Sequence, residues 1–206
     1  MAEYMQNLDE EKKRIRGPAL ARRKAHHQQY GTDEADKLSA AWAQYLTKSA
    51  AAFSGDLTNK IISGYAPAGS EINPMPLLKH LSACGHQICL PVMQPDAAHM
   101  TFRHYQMGDA LCKGGFGMSE PLPNAPELVP DIVLLPLLGF DAQGVRLGRG
   151  GGHYDRCLAG LRQKKSIQAI GMAYSCQFFD SLPCAPHDEA LNAVITAEQV
   201  FVFDAS

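Results

Sequence analysis

The chain has 206 residues, 46% hydrophobic and 19% charged, and 19 lysines and arginines against 21 aspartates and glutamates leave a net charge of -2. That composition excludes a mainly disordered chain and gives no overall support to nucleic-acid binding. The length suits one domain with a sizeable core, and six cysteines without a CxxC pair exclude a disulfide scaffold or a zinc ribbon.

Residues 1–7 carry no basic segment followed by an apolar run, so no signal peptide is expected. Residues 9–25 read as a helix rich in Lys12, Lys13, Arg14, Arg16, Arg22, Arg23 and Lys24, with Gly17-Pro18 as a kink and Gly31 as its stop. Thr32 or Asp33 caps a second helix to about residue 52, on Leu38, Trp42, Tyr45 and Leu46. A short strand follows at 60–65, then a helix from Asn73-Pro74 to Cys84, closed by Gly85. Residues 87–93 form a strand halted by Pro95, and 100–105 alternate weakly as another. The Gly- and Pro-rich stretch 106–130 reads as a long connection with one short strand at most.

The strand expected at 131–138 carries the apolar run Ile132 to Gly139, as in a central parallel strand covered on both faces. This is the longest apolar run, far short of the about 20 residues of a membrane helix. Residues 139–152 read as loop, 153–162 as helix, 166–174 and 191–196 as buried strands, and 200–203 as an edge strand. Interleaved strands and helices give an α/β class with a largely parallel sheet. The whole chain is expected to be one domain, with 1–55 a helical layer and 56–206 the α/β body. The expected setting is a monomer in the cytoplasm, its cysteines reduced core thiols, with no membrane and no nucleic-acid partner.

Chemistry concentrates between the strand at 131–138 and the helix at 153–162. Gly148, Gly150, Gly151 and Gly152 let backbone N–H groups converge, the helix adds its N-terminal dipole, and Arg146 and Arg149 add charge. Together these suit a nucleotide polyphosphate, although the spacing is neither a P-loop nor a dinucleotide fingerprint. Asp155 suits a Mg2+ ligand or a carboxylate on the helix dipole, and both readings stand. Asp188 has the same ambiguity, with Glu189 as its competitor. Lys12 and Arg16, spaced i,i+4, form a solvated basic face or reach the triphosphate. Glu71 starts a helix or binds a polar ligand edge. Tyr65, Phe102 and Tyr105 line a flat heterocycle pocket or fill the core. His153 beside Tyr154 is a proton donor or a stacking group, and Cys157 packs its helix.

The stretch 135–156, LPLLGFDAQGVRLGRGGGHYDR, resembles the signature of the 5-formyltetrahydrofolate cyclo-ligase family nearly in full. Lys12 to Arg16, Tyr65 with Ser70-Glu71-Ile72, Leu90-Pro91-Val92, Met100-Thr101-Phe102, residues 117–121 and Leu182-Pro183 with His187-Asp188 follow in the family's order. The resemblance implies a three-layer α/β/α sandwich, Rossmann-like, of the sugar-phosphate isomerase and CoA transferase type. It implies that ATP and Mg2+ drive 5-formyltetrahydrofolate, with or without a polyglutamate tail, to 5,10-methenyltetrahydrofolate, releasing ADP and phosphate. By carry-over Lys12, Arg16 and Arg146 contact ATP, Gly148 to Asp155 wrap its phosphates and Arg149 lies near the transferring group. Asp155 and Asp188 serve Mg2+, Tyr65, Glu71 and Phe102 the folate, and Tyr154 borders the reacting centre. His153 departs from the family's usual Tyr, and Asn192 from a frequent Asp. The competing readings are a folate- or thiamine-pathway relative with another substrate and a nucleotide-binding regulatory module without turnover.

Overall fold

The computed structural model describes residues 2–49, 59–94 and 100–203. Its first element is one helix, α1 (Ala2–Lys48), 47 residues long. The expected kink at Gly17-Pro18 does not end it, and Gly31 does not stop it. Residues 50–52 of the expected second helix lie outside the described residues, as do Pro95 and the boundary at 55. An internal proline costs a helix about 3 kcal/mol. Each fully buried large apolar side chain contributes about 1.5–3 kcal/mol, so Leu38, Trp42 and Tyr45, all buried, together offset that cost. Gly17 also carries no Cβ to clash with the proline ring that follows. Gly31 has a packing reason instead: a Cβ there would lie 2.6 Å from the His27 ring. That ring shares a hydrogen bond of 2.8 Å with the Tyr174 hydroxyl through Nδ1.

After β1 (Ile61–Ser63), α2 (Met75–Ala83) leads to β2 (Gln87–Met93), which pairs antiparallel with β3 (Met100–His104). The stretch expected to hold one strand at most holds two, β4 (Leu111–Lys113) and β5 (Ser119–Pro121), paired antiparallel around a turn at Gly115–Gly117. Buried Glu120 stabilises this hairpin by accepting from the backbone N–H of Met93 and of Gly115, each at 3.1 Å. Then come β6 (Ile132–Pro136), β7 (Gly139–Phe140), β8 (Arg146–Leu147), α3 (His153–Arg162), β9 (Gln168–Met172), β10 (Ala193–Ile195) and β11 (Val200–Val202). The expected loop at 139–152 therefore contains an antiparallel pair, β7 with β8. Asp141 nucleates its turn by accepting from the N–H groups of Gln143 and Val145 at 3.0 Å.

The main sheet has seven strands in the order β11-β10-β9-β6-β1-β2-β3. Its five inner strands are parallel and its two edges antiparallel. One apolar core lies between the sheet and the α1 and α2 layer, around Trp42, Leu77, Leu81 and Ile132. The other lies under α3, around Val133, Leu135, Leu158 and Val194. The result is a mixed, mostly parallel sheet flanked by helices. From β1 the chain builds outward through β2 to one edge, then returns to β6 and builds to the other. The sheet thus reverses its order between β1 and β6, and ligands of open α/β sheets collect at the carboxyl ends of such a pair.

Among the described residues no helix is long and apolar enough to cross a membrane. Of the six free cysteines only Cys89 and Cys157 are buried; Cys84 and Cys184 are exposed, and Cys112 and Cys176 lie between. The expectation of core thiols therefore holds for two of them.

Two glycines report opposite packing. A Cβ at Gly160 in α3 would meet nothing within 4 Å, whereas one at Gly171 in β9 would lie 2.5 Å from Leu137 Cδ2 and 2.9 Å from Val194 Cγ2. Gly160→Ala should stabilise by about 0.5–1 kcal/mol, and Gly171→Ala should destabilise by about 1–3 kcal/mol. Denaturant unfolding of the two variants checks the opposed signs.

Candidate active site

The cleft opens where β1 and β6 part. Its walls include Tyr65 after β1, Pro136 and Leu137 at the end of β6, the glycine turn 148–152, and Lys12, Arg16 and Arg23 from α1. These three cations lie at i, i+4 and i+11, one face of a helix of 3.6 residues per turn. Each reaches a different strand-end segment. Lys12 pairs with Asp188. Arg16 Nε donates to the Gly148 carbonyl at 3.1 Å. Arg23 Nε donates to Ser70 Oγ at 3.1 Å, and its Nη1 to the Leu137 carbonyl at 3.0 Å.

The glycine turn has the conformations its residues allow. Gly150 and Gly152 have φ of 106° and 63°, in the left-handed region that disfavours side chains. Gly152 caps α3, so the helix dipole points its positive end into the turn. A Cβ at Gly150 would sit 3.3 Å from the Arg16 guanidinium, so the missing side chain lets α1 close on the turn. Arg149 projects from it with 62% of its side chain exposed, only 3.9 Å from Glu71 Oε1.

Three carboxylates of the cleft each face cations from other elements. Arg146 Nη2 donates to Asp155 Oδ1 at 2.7 Å. Burial alone would raise the Asp155 carboxyl, but the charge and hydrogen bond of Arg146 outweigh it and hold the group below the usual carboxylate range. Asp188 Oδ2 accepts from Lys12 and from the Ala185 N–H. Glu71 is buried and accepts from the Ala68 N–H at 2.9 Å. Burial pushes its carboxyl up, against the Ala68 N–H and the charges of Arg23 and Arg149. Burial also pushes the Tyr154 hydroxyl far up, so this phenol stays protonated at neutral pH. The Arg146 guanidinium lies 5.8 Å from its ring centroid.

Of the residues singled out in the sequence, Lys12, Arg16, Tyr65, Glu71, Arg146, Gly148, Arg149, Gly150, Gly151, Gly152, His153, Tyr154, Asp155 and Asp188 all line this one cleft. Phe102 does not: it is 2% exposed and packs in the core under α3. Met100 lines the cleft instead. It pairs with Met93 at the carboxyl edge of β2, and Phe102 lies two residues, about 7 Å, deeper. Tyr105 is likewise core, on the α1 side. Glu189 pairs with Arg162 of α3, and Asn192 accepts the Ala169 N–H at 2.8 Å between β9 and β10; both serve structure. Asp9, Arg23 and Met93 also line the cleft and were not singled out as site residues, and Met118, Ser119 and His187 entered only as parts of family-order segments. Arg23 alone had a readable hint, its helical register with Lys12 and Arg16.

The cleft suits anionic and planar ligands together, since its lining combines cations and glycine N–H donors with Tyr65, Pro91 and methionines. Buried Arg146 Nε has no partner among the described residues, a spare donor beside the glycine turn. Among those residues no group of three His, Cys, Asp or Glu side chains could hold a metal ion by itself.

Residues 8–197 match the pattern that describes the 5-formyltetrahydrofolate cyclo-ligase family. The chain is 34% identical to a 5-formyltetrahydrofolate cyclo-ligase of Escherichia coli K12, over 64% of this chain and 74% of that one. It is 33% identical to one of Mycolicibacterium smegmatis, over 71% and 78%. In fold it is similar to a 5,10-methenyltetrahydrofolate synthetase of Aquifex aeolicus, with a TM-score of 0.69, 24% identity, and 95% of this chain and 94% of that one covered.

The Arg146–Asp155 pair supplies a pH-dependent test. Asp155→Asn leaves Arg146 without its counter-charge and should cost about 2–4 kcal/mol at pH 7. Because the folded carboxyl titrates below its unfolded value, about 3.9, the pair's contribution is full above about pH 5 and fades as pH falls through the folded titration. Urea unfolding of both proteins should show their difference shrinking below about pH 4. A difference unchanged at pH 3 would assign the stabilisation to something other than charge.

Proposed function

The chain belongs to the 5-formyltetrahydrofolate cyclo-ligase family, and we propose that the cleft between β1 and β6 is where it closes 5-formyltetrahydrofolate to 5,10-methenyltetrahydrofolate at the expense of ATP. ADP and phosphate are the other products. The observation that carries the site assignment is the convergence of an arginine-bearing glycine turn, three α1 cations and a buried carboxylate at one switch point.

The chemistry asks for a better leaving group. A formamide oxygen departs poorly, and transfer of the terminal phosphoryl group to it lets it leave as phosphate when N10 attacks the formyl carbon. Such a transfer needs positioning and charge stabilisation more than covalent chemistry from the protein. Gly148 to Gly152 and the α3 N-terminus present N–H groups to the phosphates. Lys12, Arg16 and Arg146 balance their charge, and Arg149, exposed and only loosely held, reaches the transferring group. Glu71 accepts from the N–H edge of the pteridine. Tyr65 offers its ring face, because its hydroxyl is spent on the Ile72 carbonyl at 2.8 Å. Tyr154, kept protonated, borders the reacting centre as a neutral hydrogen-bonding group. N5 and N10 belong to one molecule, so ring closure is intramolecular and requires no base triad.

Mg2+ prefers a few hard oxygen ligands together with phosphate oxygens. Asp155 and Asp188 fit that donor set and would hold the ion, which supplies further neutralisation of phosphate charge when bound. The kinship with sugar-phosphate isomerases and CoA transferases belongs to the same reading, supported by a cleft at the carboxyl edge of an open sheet. The chain works as a single domain over 1–206, supported by α1 supplying both core and cleft residues. The chain is read as a monomer, and its unbridged thiols support a reducing compartment such as the cytoplasm.

Formation of the methenyl product, read by its absorbance near the ultraviolet edge of the visible, should require the formyl-folate, ATP and Mg2+ together. Absence of product at saturating substrates would reject the activity. Arg149→Ala should lower kcat by about 100- to 1,000-fold, the scale of one lost transition-state donor. Exposed as it is, the side chain should change stability by no more than about 0.5 kcal/mol. Unchanged turnover at unchanged melting temperature would remove Arg149 from the site.

A further inference from the structure

We propose that Arg23 is a positioning residue for the folate side of the reaction: from the buried face of α1 it ties the loop after β1 to the end of β6 and holds Glu71 correctly turned. This rests on the reading of Glu71 as a folate contact.

Arg23 is 2% exposed, the most deeply buried of the three α1 cations in the cleft. Its guanidinium bridges two segments that are far apart in the chain and follow neighbouring strands. Ser70, the acceptor for Nε, is the residue immediately before Glu71. Leu137, the acceptor for Nη1, follows β6, and its carbonyl also accepts from Gln177 Nε2 at 2.6 Å. A planar fork that serves both acceptors fixes the angle between the segments, which a lysine's single ammonium does less well. Ser70 thereby fixes the backbone from which the Glu71 side chain departs.

The charged and titratable groups facing Glu71 are Arg23 from α1, Arg149 from the glycine turn, Tyr65 from the loop after β1 and Tyr154 from α3. Both tyrosines are neutral. Arg149 makes only a long contact with Glu71, and the mechanism above commits it to phosphate. With Arg149 engaged there, Arg23 is the cation left facing Glu71 in this set. A buried carboxylate without a facing cation takes up a proton more readily, and a protonated Glu71 loses acceptor capacity toward the pteridine N–H edge.

The test is steady-state kinetics from pH 6 to 9, varying the formyl-folate and ATP separately, on Arg23→Met, Arg23→Lys, Ser70→Ala and Glu71→Gln. Arg23→Met should raise the folate KM about tenfold or more at pH 7 and leave the ATP KM within about twofold. Its acidic limb of kcat/KM for folate should move up by about one pH unit or more, so the defect narrows as pH rises. Arg23→Lys should keep the limb near its wild-type place and recover part of the folate KM. Ser70→Ala, which keeps the charge and removes one anchor, should raise the folate KM by about threefold. Equal rises in both KM values, or a defect without pH dependence, would overturn the proposal. If Arg23→Met does not fold, Arg23→Lys and Ser70→Ala decide: effects equal for both substrates, or absent for both, overturn it. A Glu71→Gln enzyme with unchanged folate KM overturns the folate assignment of Glu71 and this proposal with it. A tenfold Glu71→Gln defect beside a silent Arg23→Met overturns this proposal alone.

Discussion

The carboxyl ends of β1 and β6 diverge at the centre of the sheet, and backbone carbonyls left there need partners from outside the sheet. In this protein α1 supplies them. Arg16 and Arg23 each donate to a carbonyl beyond a strand end, Gly148 and Leu137 respectively, while Lys12 takes the carboxylate of Asp188. The same docking that satisfies those groups lines the gap with positive charge. Structure and ligand chemistry share one set of contacts, so the cleft exists as a cationic site only while α1 lies across the sheet edge.

Burying charge of this density is costly unless each sign finds the other. Three of the cleft's carboxylates are distributed accordingly. Asp155 answers Arg146, Asp188 answers Lys12, and Glu71 lies between Arg23 and Arg149. These pairs contribute less through net stability than through fixed direction. Donors and acceptors held in place before a ligand arrives need little reorganisation when phosphate charge moves. The exception is Arg149, whose exposure and long contact leave it the most freedom among these cations.

Elements governed by local rules were readable from the chain alone. The strand β2 was placed to the residue, the central strand β6 announced itself by an unbroken apolar run, and α3 began where the glycines ended. Glycine and arginine density likewise marked the turn at 148–152 as part of the cleft. What escaped depends on partners far away in sequence. Gly17-Pro18 and Gly31 carry local stop signals, but a helix continues through them because Trp42 and Tyr45 are buried beyond and because His27 needs the room beside Gly31. Arg23 looked like one more surface cation, since its acceptors lie 47 and 114 residues away. Phe102 was misplaced because alternation along β3 identifies a face and not the distance from the sheet edge.

The continuity of α1 couples two parts of the molecule that a break would have kept independent. Its first half is docked by cations at the cleft and its second half by aromatic and aliphatic side chains in the core. A rigid rod transmits a change of seating at one end to the other, so repacking around Leu38 or Trp42 would shift the register of Lys12 and Arg16 against the glycine turn. The packing of the hydrophobic interior and the geometry of the cleft are therefore not independent. Substitutions that a helical layer could otherwise absorb act here on charges 22 to 30 residues upstream, about 33–45 Å along the helix axis.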